Sequence, residues 1–230
     1  MVGSCDTVKV FPDKEGGGVT KVILDIGSCH NAKLEYCKEA IDLAVEVGAW
    51  AIKFQLFKDL PPNIELPREY WPELVEYAKD RIIIFASVFD TEAEDLLIRH
   101  KSEYVKLAFS QRCTFSLEYM GPIKNCFVSC LPSEVSRYKN FIKLFCIPEY
   151  PVTHYIDFNI LRRYDFQGFS DHTVGWWQTM SAIHNGAEYI EKHITLDHKD
   201  IDVPDSMFAL RPKELRRMMN EIKTFPENRQ

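Results

Sequence analysis

Residues 21–48 read KVILDIGSCHNAKLEYCKEAIDLAVEVG and contain one complete strand-to-helix unit. The segment from Lys21 to Ile26 is mostly apolar and β-branched, which favours a strand. From Leu34 to Val47 apolar residues recur at helical spacing, and Gly48 closes the helix. A strand followed by such a helix is the repeating unit of parallel α/β folds.

The same alternation recurs along the chain. Further strands are predicted at 49–54, 82–86, 104–108, 126–129, 141–146, 166–169 and 188–194, and helices at 69–79, 92–99, 132–138, 159–164, 174–185 and 212–224. Thr91 is the predicted N-cap of the third helix. Eight strands alternating with helices predict a single, compact α/β fold, the (β/α)8 TIM barrel. An open doubly wound sheet is the alternative, but the first strand is not followed by its glycine-rich phosphate-binding fingerprint.

Length and charge restrict the domain organisation and the partners. A chain of 230 residues fits one barrel, so we predict a lead-in or hairpin over 1–20 and a barrel over 21–230. The net charge of -6 gives no general attraction to nucleic acid or to an anionic membrane. No apolar run approaches the roughly 20 residues that a membrane-spanning helix needs. These observations predict a soluble, cytoplasmic protein with neither kind of partner.

The cysteines show no metal or disulfide pattern. There are seven, an odd number, and they are scattered without paired zinc spacing. Reduced thiols are the simplest interpretation. We interpret Cys126 and Cys130 as packing residues of one strand rather than as a redox or zinc motif. In the same way Trp176 and Trp177 are expected to pack in the core rather than to stack on a sugar.

Polar side chains gather at the predicted carboxyl ends of the strands, where parallel barrels place their active sites. They are Asp25, Lys53, Gln55, Ser87, Lys106, Ser129, Glu149, Ser170, Asp171, His172, Glu191, Lys192 and His193. A lysine inside an apolar strand is costly to bury unless its ammonium finds an anion or a carboxylate. Lys53 and Lys106 therefore indicate an anionic ligand, internal ion pairs with Asp25 or Glu191, or both.

Two histidines end neighbouring strands of the predicted barrel. His172 and His193 lie far apart in sequence, but adjacent strands are only about 4.8 Å apart. Their imidazoles could therefore share one ion, and imidazole suits manganese, iron, cobalt or zinc. A structural hydrogen-bonding role for each ring is the alternative.

The segments 168–173 (GFSDHT) and 190–197 (IEKHITLD) resemble the sialic acid synthase family, which includes legionaminate and pseudaminate synthases. The likeness extends over most of residues 21–224 through these segments: 25–31 (DIGSCHN), 51–55 (AIKFQ), 105–108 (VKLA), 149–151 (EYP) and 204–212 (PDSMFALRP). The resemblance covers the barrel domain of that family only. The family's carboxyl-terminal antifreeze-like domain is not expected in this chain.

The resemblance implies a transferase that condenses phosphoenolpyruvate with an N-acetylated sugar aldehyde, such as N-acetylmannosamine, and releases phosphate. It implies His172 and His193 as ligands of a divalent metal, most often Mn²⁺ and otherwise Mg²⁺ or Co²⁺. It also implies a phosphoenolpyruvate site formed by Lys53, Lys106, Ser129 and Ser170. Gln55, Tyr150 and Asp205 match positions near the acceptor sugar, and Ser87 is added as a substrate contact from its place at a strand end. Asp25 and Glu191 complete the candidate catalytic set, as the residue that handles the attacking water and as a second acid or base.

One departure from the family and the uncertain acceptor leave two other functions open. Asp25 stands where the family has glutamate, so its carboxylate is drawn back by about one bond length, a shift that can lower a rate about 100-fold. A related condensing enzyme or aldolase for another aldose is one alternative. A non-catalytic barrel that binds metal, ligand or a partner is the other. A homodimer and a separately encoded cap domain are the protein partners that the resemblance suggests.

Overall fold

In the computed structural model, which describes residues 20–112, 123–198 and 200–224, eight parallel strands close into a barrel in sequence order. The strands are β1 (Lys21–Asp25), β2 (Ala51–Leu56), β3 (Ile83–Val88), β4 (Tyr104–Leu107), β5 (Asn125–Cys130), β6 (Ile142–Cys146), β7 (Gly168–Asp171) and β8 (Tyr189–His193). Pairing of β1 with β8 closes the sheet. The predicted (β/α)8 barrel is confirmed.

Helices follow most strands and cover the outside of the barrel. They are α1 (Leu34–Val47), α2 (Trp71–Ala78), α3 (Thr91–Arg99), α4 (Asn159–Arg163), α5 (Trp177–His184) and α6 (Pro212–Thr224), with 3-10 turns at Arg68–Tyr70, Phe109–Gln111, Pro132–Tyr138 and Pro204–Met207. The first and last helices have the predicted bounds. The helix predicted after β5, at 132–138, is present with these bounds and is a 3-10 helix.

Three local predictions were wrong at element ends. Asp90, not Thr91, caps α3, because its side chain accepts a hydrogen bond from the amide of Ala93. The strands β2 and β7 begin two residues later than expected. Ala49 and Phe166 donate their amides to the ends of the preceding helices, at Ala44 and Leu161, and so do not join the sheet.

The inward-facing side chains of the barrel form two layers of opposite character. The lower layer, near the amino ends of the strands, consists of Ile23, Ala51, Phe85, Tyr104, Phe127, Leu144, Gly168 and Tyr189. Two residues further along each strand, on the same face, lies the upper layer: Asp25, Lys53, Ser87, Lys106, Ser129, Cys146, Ser170 and Glu191. The apolar lower layer closes the barrel from below, so the polar upper layer forms the floor of an opening at the carboxyl ends.

The main apolar core lies between the strands and the helices. Cys126 and Cys130 are free thiols in this core, as the packing interpretation predicted. Trp176 packs partly against the core, but Trp177 is 85% exposed, so the expected core packing of Trp177 was wrong. No helix in the described ranges is both long and apolar enough to cross a membrane. The predicted lead-in at 1–20 lies, apart from Thr20, outside the described residues.

Candidate active site

A cavity of about 450 Å³ opens above the upper layer, at the carboxyl ends of the strands. This volume is in the range of small-molecule sites. All the residues predicted as site residues line it: Asp25, Lys53, Gln55, Ser87, Lys106, Ser129, Tyr150, Ser170, His172, Glu191, His193 and Asp205. Together with Cys146 of β6, they bring side chains from every strand of the barrel around one ligand-sized space.

The two strand lysines are paired with carboxylates at the base of the cavity. The ammonium of Lys106 donates to both carboxylate oxygens of Glu191, at 2.7 and 2.9 Å. Lys53 donates to Asp25 Oδ2 at 2.6 Å and to Ser87 at 3.0 Å, and lies 3.7 Å from Glu191. The expected internal ion pairs are present. Both ammonium groups also border the cavity, where an anionic ligand could reach them.

The electrostatics of this cluster favour the charged forms of Asp25, Glu191 and Lys53. Burial acts to raise the pKa of Asp25, but the ammonium of Lys53 and the ring of His193 outweigh it and hold the pKa below its ordinary value. Burial likewise acts to raise the pKa of Glu191, whereas Lys106 and Lys53 lower it to about 2. Burial acts to lower the pKa of Lys53, yet Asp25 and Glu191 raise it. At neutral pH the site thus offers ionised carboxylates as bases beside the protonated amine of Lys53.

The imidazoles of His172 and His193 face one another above this cluster. Their ring centroids are 5.6 Å apart, and the planes are inclined by 62°. His172 Nδ1 donates to the carbonyl of Ile147 at 3.2 Å. Nδ1 of His193 is buried without a hydrogen-bond partner, and its Nε2 lies 3.5 Å from Asp25 Oδ2.

Comparison with known proteins shows which proteins this chain is similar to. The NeuB family matches residues 128–229 of the chain. The N,N'-diacetyllegionaminic acid synthase of Campylobacter jejuni is 26% identical over 89% of this chain and 75% of its own length. The spore coat polysaccharide biosynthesis protein SpsE of Bacillus subtilis is 28% identical over 88% of this chain and 66% of its own length. A crystal structure of the N-acetylneuraminic acid (sialic acid) synthetase of Leptospira borgpetersenii superposes with a TM-score of 0.78 at 26% identity, covering 89% of this chain and 82% of that one.

The chain is a relative of the sialic acid synthases. Its named relatives are enzymes of the synthase type. The similarity to named synthases argues against the alternative of a non-catalytic barrel.

The two histidines have the chemistry that a metal ligand requires. Burial, and after it the neighbouring His193, lowers the pKa of His172 to about 3, so its ring is neutral at physiological pH. The Ile147 carbonyl holds the proton on Nδ1, which leaves the lone pair of Nε2 available, the usual arrangement behind a metal-ligating imidazole. Among the described residues no group of three or more His, Cys, Asp or Glu side chains is arranged to hold a metal ion. An ion between these rings would take its other ligands from water or substrate.

Two polar residues that the resemblance places near the acceptor sugar, Gln55 and Asp205, lie beside Asp25 and the loop that follows β1. Gln55 donates to Asp25 Oδ2 at 3.1 Å, and Asp205 accepts from the amide of Ser28 at 3.1 Å. Gly27, at φ 50°, leaves room for Asp205, since a Cβ atom there would overlap the carboxylate. The close approach of the β1 loop to Asp205 therefore requires glycine at position 27.

Aromatic rings hold the two histidines from the side. Tyr150 stacks on His172 with centroids 4.3 Å apart, and Phe208 meets His193 at 5.0 Å and His172 at 5.9 Å. Tyr150 was expected to contact substrate, and the structure adds this contact with His172. Phe208 lines the cavity but was not predicted as a site residue, because an apolar residue in a loop gives no chemical signal.

Three polar residues at strand ends do not line the cavity, whereas Cys146, which was not predicted as a site residue, does. Glu149 lies on the surface beside His154, at 3.4 Å. Asp171 and Lys192 point to the outside of the barrel, because alternate residues of a strand face opposite sides. Cys146 instead occupies the inward position of β6, with its sulfur 3.9 Å from His172 Nδ1. The period of two along β6 could have identified it.

Proposed function

We propose that this protein condenses phosphoenolpyruvate with an N-acetylated sugar aldehyde and releases phosphate and a sialic-acid-type 2-keto acid. The observation that supports it most directly is the convergence of two buried lysine ammonium groups and two imidazoles on one cavity. Ammonium groups and hydroxyls suit a carboxylate and a phosphate, whereas imidazoles suit a divalent ion. The names of the relatives agree with a sugar acid as product.

In this proposal the base of the cavity binds phosphoenolpyruvate. Lys53 and Lys106 hold its negative charges, and the hydroxyls of Ser87, Ser129 and Ser170 add donors around them. Glu191 accepts from Ser170 at 2.8 Å as well as from Lys106, so it keeps both donors in place. All these groups are at least nine-tenths buried, which excludes most competing water.

The acceptor aldehyde would lie between this base and the rim. Its carbon forms the new bond to the methylene carbon of phosphoenolpyruvate, and its oxygen becomes a hydroxyl by taking up a proton. Water adds at C2 and gives a proton to a base, a role that we assign to Asp25, whose lowered pKa keeps it ionised. The C2–O bond then breaks: phosphate leaves with the electron pair, and the C2 hydroxyl gives its proton to the departing phosphate as it becomes the ketone. A divalent ion, Mn²⁺ in our proposal, would be held by His172 and His193 and would polarise the aldehyde oxygen.

Product analysis tests this function. The protein is incubated with Mn²⁺, phosphoenolpyruvate labelled with ¹⁸O at the bridging oxygen, and N-acetylmannosamine or related N-acetyl sugars. We expect stoichiometric phosphate and keto acid, with the label in phosphate. The His172→Ala and Lys106→Met variants should be inactive, while Lys143→Met, which replaces an outward lysine of β6, serves as the matched control. Absence of product with every N-acetyl sugar contradicts the proposal, and product only with other aldoses would assign the alternative acceptor class.

A further inference from the structure

A second charged pair lies directly behind the two histidines, on the outer face of the same strands. Asp171 pairs in register with Lys192 across β7 and β8, and each comes one residue before a histidine. Both side chains are 0% exposed, and neither borders the cavity. They cannot touch a ligand there, so a role in the chemistry must act through other residues.

The Asp171 carboxylate collects donors from three elements. Its Oδ1 accepts from the amide and the hydroxyl of Thr173, at 2.8 and 2.7 Å. Its Oδ2 accepts from the hydroxyl of Thr179 on α5 at 2.6 Å and lies 3.3 Å from the ammonium of Lys192. Lys192 in turn donates to the carbonyl of Thr173 at 2.5 Å.

These contacts fix the backbone that follows His172. The amide and the carbonyl of Thr173 are bound by the charged pair, and the carbonyl of His172 accepts from the amide of Val152 at 3.1 Å. Lys192 is covalently joined to His193. The ammonium of Lys192 therefore connects the backbone segment that carries His172 to the segment that carries His193.

From this arrangement we infer that Lys192 and Asp171 are positioning residues, which set the direction and separation of the imidazoles of His172 and His193. The inference rests on the proposed function, in which the two rings bind one metal ion together. A buried ion pair is a poor source of stability compared with apolar packing, so general stabilisation explains it less well than a geometric role.

The first test measures the rings themselves in metal-free protein. In protein labelled with ¹⁵N-histidine, each imidazole gives its own NMR signals. The double substitution Lys192→Met with Asp171→Asn removes both charges, so that neither is left buried without its partner. We expect altered ring signals for His172 and His193, and faster exchange of the Nδ1 proton of His172. The rings at other positions act as internal references: His30, His100, His154, His184 and His198.

Two further variants keep this test decisive. Lys143→Met removes another buried, outward lysine from the neighbouring β6, whose partner Asp165 is exposed, and should leave both rings unchanged. If the double variant does not fold, Thr179→Val removes one hydrogen bond from Asp171 while the ion pair remains. It should then alter the His172 signals alone. Unchanged His172 and His193 signals in a folded double variant, or unchanged His172 signals in Thr179→Val, overturn the inference.

The second test measures Mn²⁺ affinity by the electron spin resonance of the free ion. Loss of groups that orient metal ligands lowers metal affinity about 10- to 100-fold, and we expect this for the double variant but not for Lys143→Met. Metal-free binding of phosphoenolpyruvate should be unchanged, whereas a merely structural role would weaken both ligands together. Equal Mn²⁺ affinity in wild type and double variant overturns the positioning role. A wild type that binds Mn²⁺ no better than His172→Ala contradicts the proposed function instead, and the ring signals then decide on positioning.

Discussion

The lower and upper layers of the barrel interior occupy the same strands, two residues apart, and differ in almost every physical respect. In the lower layer Phe127 lies 5.6 Å from Phe85 and 5.1 Å from Tyr189, ring centroid to centroid, in an aromatic cluster. In the upper layer Lys106 and Glu191 are just as buried but are charged. A distance of two residues along each strand therefore separates the apolar lower layer from the polar upper layer.

The difference teaches where this barrel obtains its stability. Buried apolar surface stabilises a fold by about 25 cal/mol per Å², and aromatic contacts add about 0.5–1.5 kcal/mol each. Replacing a buried ion pair by apolar residues is often neutral or stabilising by about 1–4 kcal/mol. The lower layer therefore stabilises the barrel, and the upper layer is kept for its chemistry.

The largest expected effect is on turnover, from removing one ion pair of the upper layer. In Lys106→Met with Glu191→Gln we expect kcat/KM to fall at least about 1000-fold, since charge-assisted hydrogen bonds contribute about 1.5–3 kcal/mol each. The free energy of unfolding should stay the same or rise. Phosphate release and urea denaturation measure the two quantities. A large loss of stability with turnover retained would reverse the roles assigned to the layers.

In the lower layer we expect the opposite result, a loss of stability with turnover retained. Phe127 is fully buried, so Phe127→Ala should lower the free energy of unfolding by about 3–5 kcal/mol. For a chain of this size that corresponds to a fall of roughly 10 °C in Tm. Turnover per folded molecule should be close to wild type. Thermal melts and active-site titration check this. A loss of turnover without a loss of stability would show that the lower layer shapes the site.

The pH dependence of stability tests the loop above β1. Burial lowers the pKa of His30 from 6.5 to about 4, so between these values the unfolded chain takes up a proton that the folded chain excludes. Stability must therefore fall as pH drops from about 6.5 towards 4, by about 3 kcal/mol from this residue. His30→Asn keeps an acceptor for the amide of Ala32, which His30 Nδ1 now accepts at 3.0 Å. Urea denaturation from pH 7 to 4 should show a weaker pH dependence in the variant, and an identical one would refute the assignment.

The smallest effect is expected outside both layers. Trp177 is almost fully exposed, so Trp177→Ser should change the free energy of unfolding by no more than about 0.5 kcal/mol. Denaturation of the two proteins side by side measures it. A larger loss would mean that the indole packs against something in solution.

The fold was predictable because one pattern is repeated. The run of α1 from Leu34 to Val47 has a clear helical period and ends at Gly48, which adopts a left-handed backbone conformation. Element ends were less predictable, since Ala49 and Phe166 are as apolar as strand residues. Their amides bind the preceding helix, and sequence alone does not show this.

The polar part of the site was also predictable, from residue type and strand position together. Lys53 and Lys106 were identified because a lysine inside an apolar strand is costly to bury unless its ammonium finds an anion or a carboxylate. Phe208 and the exposed position of Trp177 were not, because apolar residues look alike in sequence whether they line a site, fill a core or face water. The outward direction of Lys192 follows from strand alternation once the inward direction of His193 is known.

The central claim is that the upper layer and the two imidazoles bind phosphoenolpyruvate and a divalent ion side by side. A crystal structure with Mn²⁺ and phosphoenolpyruvate, with anomalous data at the manganese edge, tests it most directly. The account predicts an anomalous peak bonded to His172 and His193, with the phosphate and carboxylate beside Lys53 and Lys106. A manganese peak away from both rings, or phosphoenolpyruvate bound outside this cavity, would contradict it.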